Sequence, residues 1–265
     1  MPTYRLIVEY DGASLSGFQT QPNAPTIQSA LEAALSVHFG VPRVIVHGSG
    51  RTDAGVHALG QVVTFRVPVE REPWRIRMGL NTALPPEISV IEADRVPDGF
   101  HARLSAVGKT YRYRIIERRD RSPFFVGRAL HLKRSFDWSR IDAALPALVG
   151  THDFSAFRGA GCTARSPVRT IDRAEHHDLG GGEHHLEFHG DGFLRYQVRR
   201  MVGTLIEIGD GRFPAEHLRE VLESRDPARS GRTAQPHGLY LVSVDYPPEA
   251  FEASSKAAPA PSTGE

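Results

Sequence analysis

The chain reads as an α+β protein made of two α/β halves, and three observations predict this. Stretches rich in β-branched and aromatic residues recur along it at strand length. Between them lie stretches whose apolar residues fall three and four apart, the spacing that buries one face of a helix. After Pro97, Asp98 and Gly99, which mark a linker near residues 97–108, the same mixture of strands and helices begins again.

Tyr4 to Tyr10 alternates as a strand, and Thr26 caps a helix to Phe39 whose apolar stripe is Ile27, Leu31, Ala34 and Leu35. Pro42 to His47 and Gln61 to Val67 read as two strands holding residues 50–58 between them as an exposed loop. A helical stretch near Trp74 to Leu80 and a strand from Ile88 to Val96 complete the first half. The second half predicts a strand over Lys109 to Glu117, a helix over Trp138 to Leu148, and paired strands near Arg169 to Asp178 and His184 to Gly190. A helix over Phe193 to Ile208, another near Glu216 to Ser224 and a strand over Tyr240 to Asp245 follow. The expected organisation is an N-terminal domain over 1–104, a C-terminal domain over 105–247 and a disordered Ala- and Pro-rich tail over 248–265.

Composition narrows the function classes. At 265 residues, 40% hydrophobic and 24% charged, the chain is long enough to bury a substantial core. No apolar run approaches the roughly 20 residues of a membrane helix, and the first residues run into a strand rather than a signal peptide's apolar core, so the expected location is the cytoplasm. The single cysteine, Cys162, excludes an intrachain disulfide and cysteine-based zinc fingers and reads as a plain thiol. The net charge of +1 conceals its distribution, because the tail's Glu249, Glu252 and Glu265 against Lys256 carry −2 and leave +3 on the body. Arginines gather at Arg112, Arg114, Arg118, Arg119 and Arg121 and at Arg195, Arg199 and Arg200, a pattern suited to binding a polyanion locally.

The chemistry centres on Gly50-Arg51-Thr52-Asp53-Ala54-Gly55-Val56-His57-Ala58, where one carboxylate stands beside one guanidinium between two glycines. By spacing alone Asp53 serves equally well to tie its own turn. Gly48-Ser49-Gly50-Arg51-Thr52-Asp53 is no dinucleotide fingerprint, since Asp stands where the third glycine belongs, and Ser49 lacks the setting of a nucleophile elbow. The two-residue period of Lys109 to Ile115 puts Tyr111, Tyr113 and Ile115 on one face and Arg112 and Arg114 on the other, so Tyr111 is by periodicity a core tyrosine. Arg195 and Arg199 line a helix face beside the stripe of Leu194, Val198, Met201, Val202 and Leu205, where Arg199 is free to extend to solvent. His176, His177, His184, His185 and His189 flank a turn at Gly180-Gly181-Gly182 and read as a solvated hairpin face rather than a metal site.

The nine-residue motif resembles the signature of the TruA family of tRNA pseudouridine synthases. Tyr10-Asp11-Gly12, Gly17-Phe18-Gln19, Phe100-His101-Ala102-Arg103, Lys109-Thr110-Tyr111-Arg112-Tyr113, His152-Asp153-Phe154-Ser155-Ala156-Phe157, Val198-Arg199-Arg200-Met201-Val202-Gly203 and Gly238-Leu239-Tyr240-Leu241 extend the resemblance over about residues 3–246. Phe18 stands where many relatives have Trp, and Leu104 where Phe is frequent. The resemblance implies a pseudouridine synthase fold, with two ferredoxin-like (RRM-like) α/β halves whose mixed, mainly antiparallel sheets flank a central catalytic cleft. It further implies isomerisation of uridine to pseudouridine at positions 38, 39 and 40 of the tRNA anticodon stem-loop, by a homodimer, without cofactor or metal. Asp53 matches the family's catalytic carboxylate, or nucleophile, and Tyr111 its active-site tyrosine. Arg199 or Arg51 would pair with Asp53; His57, Arg112 and Arg114 would contact RNA, although a structural loop histidine suits His57 equally. The alternative of another class is a non-catalytic RNA-binding or tRNA-folding module, which would gain nothing from a carboxylate near phosphates.

Overall fold

The computed structural model describes residues 1–133 and 135–252. The first half runs β1 (Thr3–Tyr10), α1 (Ile27–Phe39), β2 (Val46–Gly48), β3 (His57–Arg66), α2 (Pro73–Ala83) and β4 (Ile88–Val96). The second runs β5 (Gly108–Glu117), β6 (Leu130–Leu132), α3 (Trp138–Ala144), β7 (Gly150–Asp153), β8 (Val168–Asp178), β9 (Glu183–Gly190), α4 (Gln197–Gly209), α5 (His217–Ser224) and β10 (Leu239–Asp245).

The alternation in β1 buries Tyr4, Leu6, Val8 and Tyr10 on the helix-covered face. On α1 the predicted stripe is buried, and Thr26 and Ser29 form a reciprocal capping box while Gly40 ends the helix at φ 65°. Several expected boundaries move for identifiable reasons. Residues before Val46 do not join the sheet, because the Val44 amide donates to Ser36 Oγ on α1 instead. The helix from Trp138 turns 3-10 over Leu145–Leu148, where Pro146 removes a donor. Helix α4 begins at Gln197 rather than Phe193, since Tyr196 has left-handed backbone angles that cannot continue a right-handed helix.

The halves share one sheet, ordered β4-β1-β3-β10-β5-β9-β8-β7, with β2 added to β3 and β6 to β5. Pairing is antiparallel except at β10–β3 and β5–β6. The last strand is therefore the seam: Leu241 stands opposite Ala58 of β3 on one side and Tyr111 of β5 on the other. This explains why β3 starts inside the nine-residue motif, at His57, rather than at Gln61. A single core runs beneath the sheet, from Tyr4, Phe39 and Phe65 in the first half to Tyr113, Phe188, Met201 and Leu205 in the second.

Residues 97–107 are held in place rather than loose: Phe100 is buried, the Ala102 amide donates to Thr64 Oγ1, and Tyr246 Oη donates to the Ala102 carbonyl. The tail expected to be disordered from residue 248 instead opens with a 3-10 turn, Pro248–Phe251, because Phe251 finds an apolar partner by stacking on Phe100 at 5.3 Å. The remainder of that tail lies outside the described residues.

Candidate active site

The loop between β2 and β3 is gripped on every side. Lys109 Nζ donates to the Ser49 carbonyl at 2.6 Å, Ser49 Oγ to Gln61 Oε1 at 2.7 Å, and Gln61 Nε2 to the Gly50 carbonyl at 2.9 Å. Thr52 is buried with its hydroxyl 2.8 Å from that of Tyr10, and its carbonyl accepts from the Phe18 amide. Glycines elsewhere make room. A Cβ on Gly12 would lie 2.0 Å from the Val56 carbonyl oxygen, and Gly17, at φ 88°, lies against Thr52 and Asp53. With its neighbours fixed, Asp53 presents its carboxylate outward, about a quarter exposed.

The partner of that carboxylate comes from the other half of the chain. Arg199, in the first turn of α4, donates from Nη1 to Asp53 Oδ2 at 3.0 Å and from Nε to the Ala234 carbonyl at 2.8 Å. The two hydrogen bonds fix two edges of the planar guanidinium, and the bond to Asp53 is charge-assisted. Arg51 is exposed, and among the described residues nothing pairs with it. Of the two candidate partners for Asp53, the distant one makes the contact.

Tyr111 lies across the seam from Ala58, 9% exposed, with its ring edge-to-face with Phe193 at 5.2 Å. Burial pushes its hydroxyl pKa upward, and Tyr10 and then Asp53 push it further. The hydroxyl therefore remains protonated at neutral pH and can act as a hydrogen-bond donor rather than a base. Lys109 is shifted the other way: burial, with Arg103 and Arg169 nearby, lowers its pKa to about 8.

Three expected RNA contacts are otherwise engaged. His57 is 2% exposed; its Nδ1 accepts from the Gly12 amide at 3.1 Å, its Nε2 faces the carbonyls of Gly127 and His237, and its ring stacks on Tyr240. Burial lowers its pKa, so the ring is a neutral strut between loops. Arg112 pairs with Glu187 at 3.0 Å and Arg114 with Glu183 at 2.7 Å, both on the face of β5 opposite Tyr111. They therefore do not line the Asp53 cleft. In the hairpin, His176 and His184 stack on Trp138 and His189 bridges Asp172 and Asp245; among the described residues no group of three or more His, Cys, Asp or Glu could hold a metal.

Sequence reasoning did not single out Gln61, Ser49 or Lys109 as supports of the loop. The available signal was Gln61 itself, an amide opening an otherwise apolar run and lying fully buried.

Comparison with known proteins identifies the family. The family model described as tRNA pseudouridine synthase matches residues 6–104 and 144–247. The chain is similar to tRNA pseudouridine synthase A of Streptococcus thermophilus, 43% identical over 248 residues, covering 93% of this chain and 100% of that protein. It is also similar to the enzyme of that name from Rhodospirillum rubrum, 46% identical over 250 residues, covering 94% of this chain and 89% of the other. A solved archaeal box H/ACA Nop10-Cbf5 complex aligns at a TM-score of 0.34 and 13% identity over 77% of this chain and 44% of that one, too slight a likeness to argue from. With the family model matched over two long segments of the chain and relatives aligned nearly end to end, the chain belongs to the tRNA pseudouridine synthase family.

Proposed function

We propose that the chain isomerises uridine to pseudouridine in the anticodon stem-loop of tRNA, at positions 38 to 40, with Asp53 as its catalytic carboxylate. The observation that carries the reading is the 3.0 Å Asp53–Arg199 pair, made between the two halves beside the Tyr111 ring. The reaction breaks the N1–ribose bond of uridine, turns the base and rejoins it through C5, so no atoms enter or leave. Three steps are open to an ionised Asp53: attack on C6 of uracil, attack on the anomeric carbon, or removal of the 2′ proton to give a glycal. Each needs a charged carboxylate, and Arg199 supplies the counter-charge beside it. A glycosidase would instead set two carboxylates about the bond and admit water.

To reach Asp53 a uridine must leave its stack. Tyr111 offers a ring face to the extruded base, a contact of roughly 1–3 kcal/mol, and a protonated hydroxyl. A homodimer acting in the cytoplasm is the accompanying reading, supported by the family resemblance and tested by light scattering of the purified protein.

Wild-type and Asp53→Asn protein are incubated with unmodified tRNA, and pseudouridine is mapped by base-specific chemical labelling. Modification on the 3′ side of the anticodon stem-loop by wild type alone is expected, with tRNA affinity retained within about tenfold because shape is kept. An active Asp53→Asn protein would overturn the assignment. Binding without modification by either protein would favour the RNA-folding alternative.

A further inference from the structure

Tyr196 has φ 64° and ψ 0°, left-handed angles that an aromatic residue adopts only at a cost. It occupies the N-cap of α4, where Ser, Thr, Asp or Asn would satisfy the helix amides, and makes no side-chain cap bond. Neither backbone nor capping accounts for a tyrosine there. The unusual angles do place the ring within reach of two cations: its centroid lies 5.1 Å from Arg199 Cζ and 4.8 Å from Arg195 Cζ, and its hydroxyl accepts from Arg195 Nη2 at 3.1 Å. The ring is itself backed by Gly159, where an added Cβ would come within 2.4 Å of it. The Gly159 amide donates to the Arg195 carbonyl, which ties that backing to the same turn.

Hydrogen bonds to Ala234 and Asp53 hold two edges of the Arg199 guanidinium in its plane. The aromatic face against the cation supports it from a direction those bonds do not cover. We propose that Tyr196 is a positioning residue for the isomerisation: its ring is the platform that keeps the Arg199 guanidinium aligned on Asp53. The proposal rests on Asp53 being the catalytic carboxylate, and it assigns to the strained turn before α4 the task of keeping that pair in register.

The test compares wild type with Tyr196→Gly, which accepts the backbone angles and removes the ring, Tyr196→Asn, which also tolerates them, and Tyr196→Phe, which keeps the ring. Asp53→Asn is run alongside. Turnover on unmodified tRNA, KM and Tm are measured for each. Loss of one cation–π contact predicts kcat lower by about three- to thirtyfold in the Gly and Asn variants, with KM unchanged, Tm held within a few degrees, and Tyr196→Phe close to wild type. Full kcat in both ring-less variants would overturn the proposal, as would a raised KM with unchanged kcat, which would make the ring a tRNA contact. A fall in Tm proportionate to the lost rate in both would make it a packing residue, with the same consequence. Activity in Asp53→Asn would instead overturn the underlying assignment, whatever the Tyr196 variants do.

Discussion

A charge is most informative when its surroundings restrict what it can do, and two residues here are restricted in opposite ways. Arg199 contacts Asp53 and Ala234 through different nitrogens of one plane, a reach that the single point charge of Lys cannot reproduce. Arg199→Lys is expected to cut turnover at least about tenfold, equivalent to about 1.4 kcal/mol at the transition state, as read in single-turnover assays; normal turnover would remove the fork from the site. Lys109 is held inside the fold with a pKa lowered to about 8, chiefly by burial. Between that value and the unfolded lysine's, near 10.4, the unfolded chain holds a proton that the folded chain has released. Stability contributed by this group therefore rises with pH across that window and is lost again as pH falls through 8. Relative to Lys109→Met, wild type should gain in urea midpoint between pH 7.5 and 9.5. A constant difference would mean that the ammonium is not buried.

At the scale of elements, the local patterns were legible because they obey local rules: alternation in β1 and β5, the stripe and cap of α1, and the span of β4 all match what their residues predict. What could not be read depends on partners distant in sequence. The early start of β3 comes from pairing with β10, about 180 residues later, and the choice of Arg199 over Arg51 depends on α4, a helix about 150 residues beyond the motif. His57 shows the same dependence, because a histidine in a motif loop serves equally as an RNA contact or a structural residue until its ring nitrogens are seen to be engaged by Gly12, Gly127 and His237. His57→Phe keeps the stacking surface on Tyr240 but leaves a buried amide without its acceptor, a loss of about 1–3 kcal/mol. Urea unfolding should show that loss, with KM for tRNA changed less than about threefold. An unchanged unfolding midpoint with a raised KM would return His57 to the RNA surface.

For the whole molecule, net charge says less than which cations are already neutralised. Arg112 and Arg114, in the densest arginine run of the sequence, are spent on Glu187 and Glu183 within the sheet. Arg103 and Arg169, on separate segments near the start of β5, stand close enough to Lys109 to depress its pKa and, among the described residues, make no carboxylate pair. Like charges gathered without counter-charges are destabilising to the free protein and favour a bound polyanion. Each cation that neutralises an RNA phosphate releases condensed counterions, so the logarithm of affinity should fall with the logarithm of salt by about 0.7–0.9 per contact. Removing Arg103 or Arg169 as alanine should therefore flatten that slope by about one contact's worth, whereas Arg112→Ala should leave it unchanged because Glu187 already holds that charge. Filter binding of unmodified tRNA across a salt series reads all three. A flattened slope for Arg112→Ala with none for the other two would move the RNA to the opposite face of the sheet and away from Asp53.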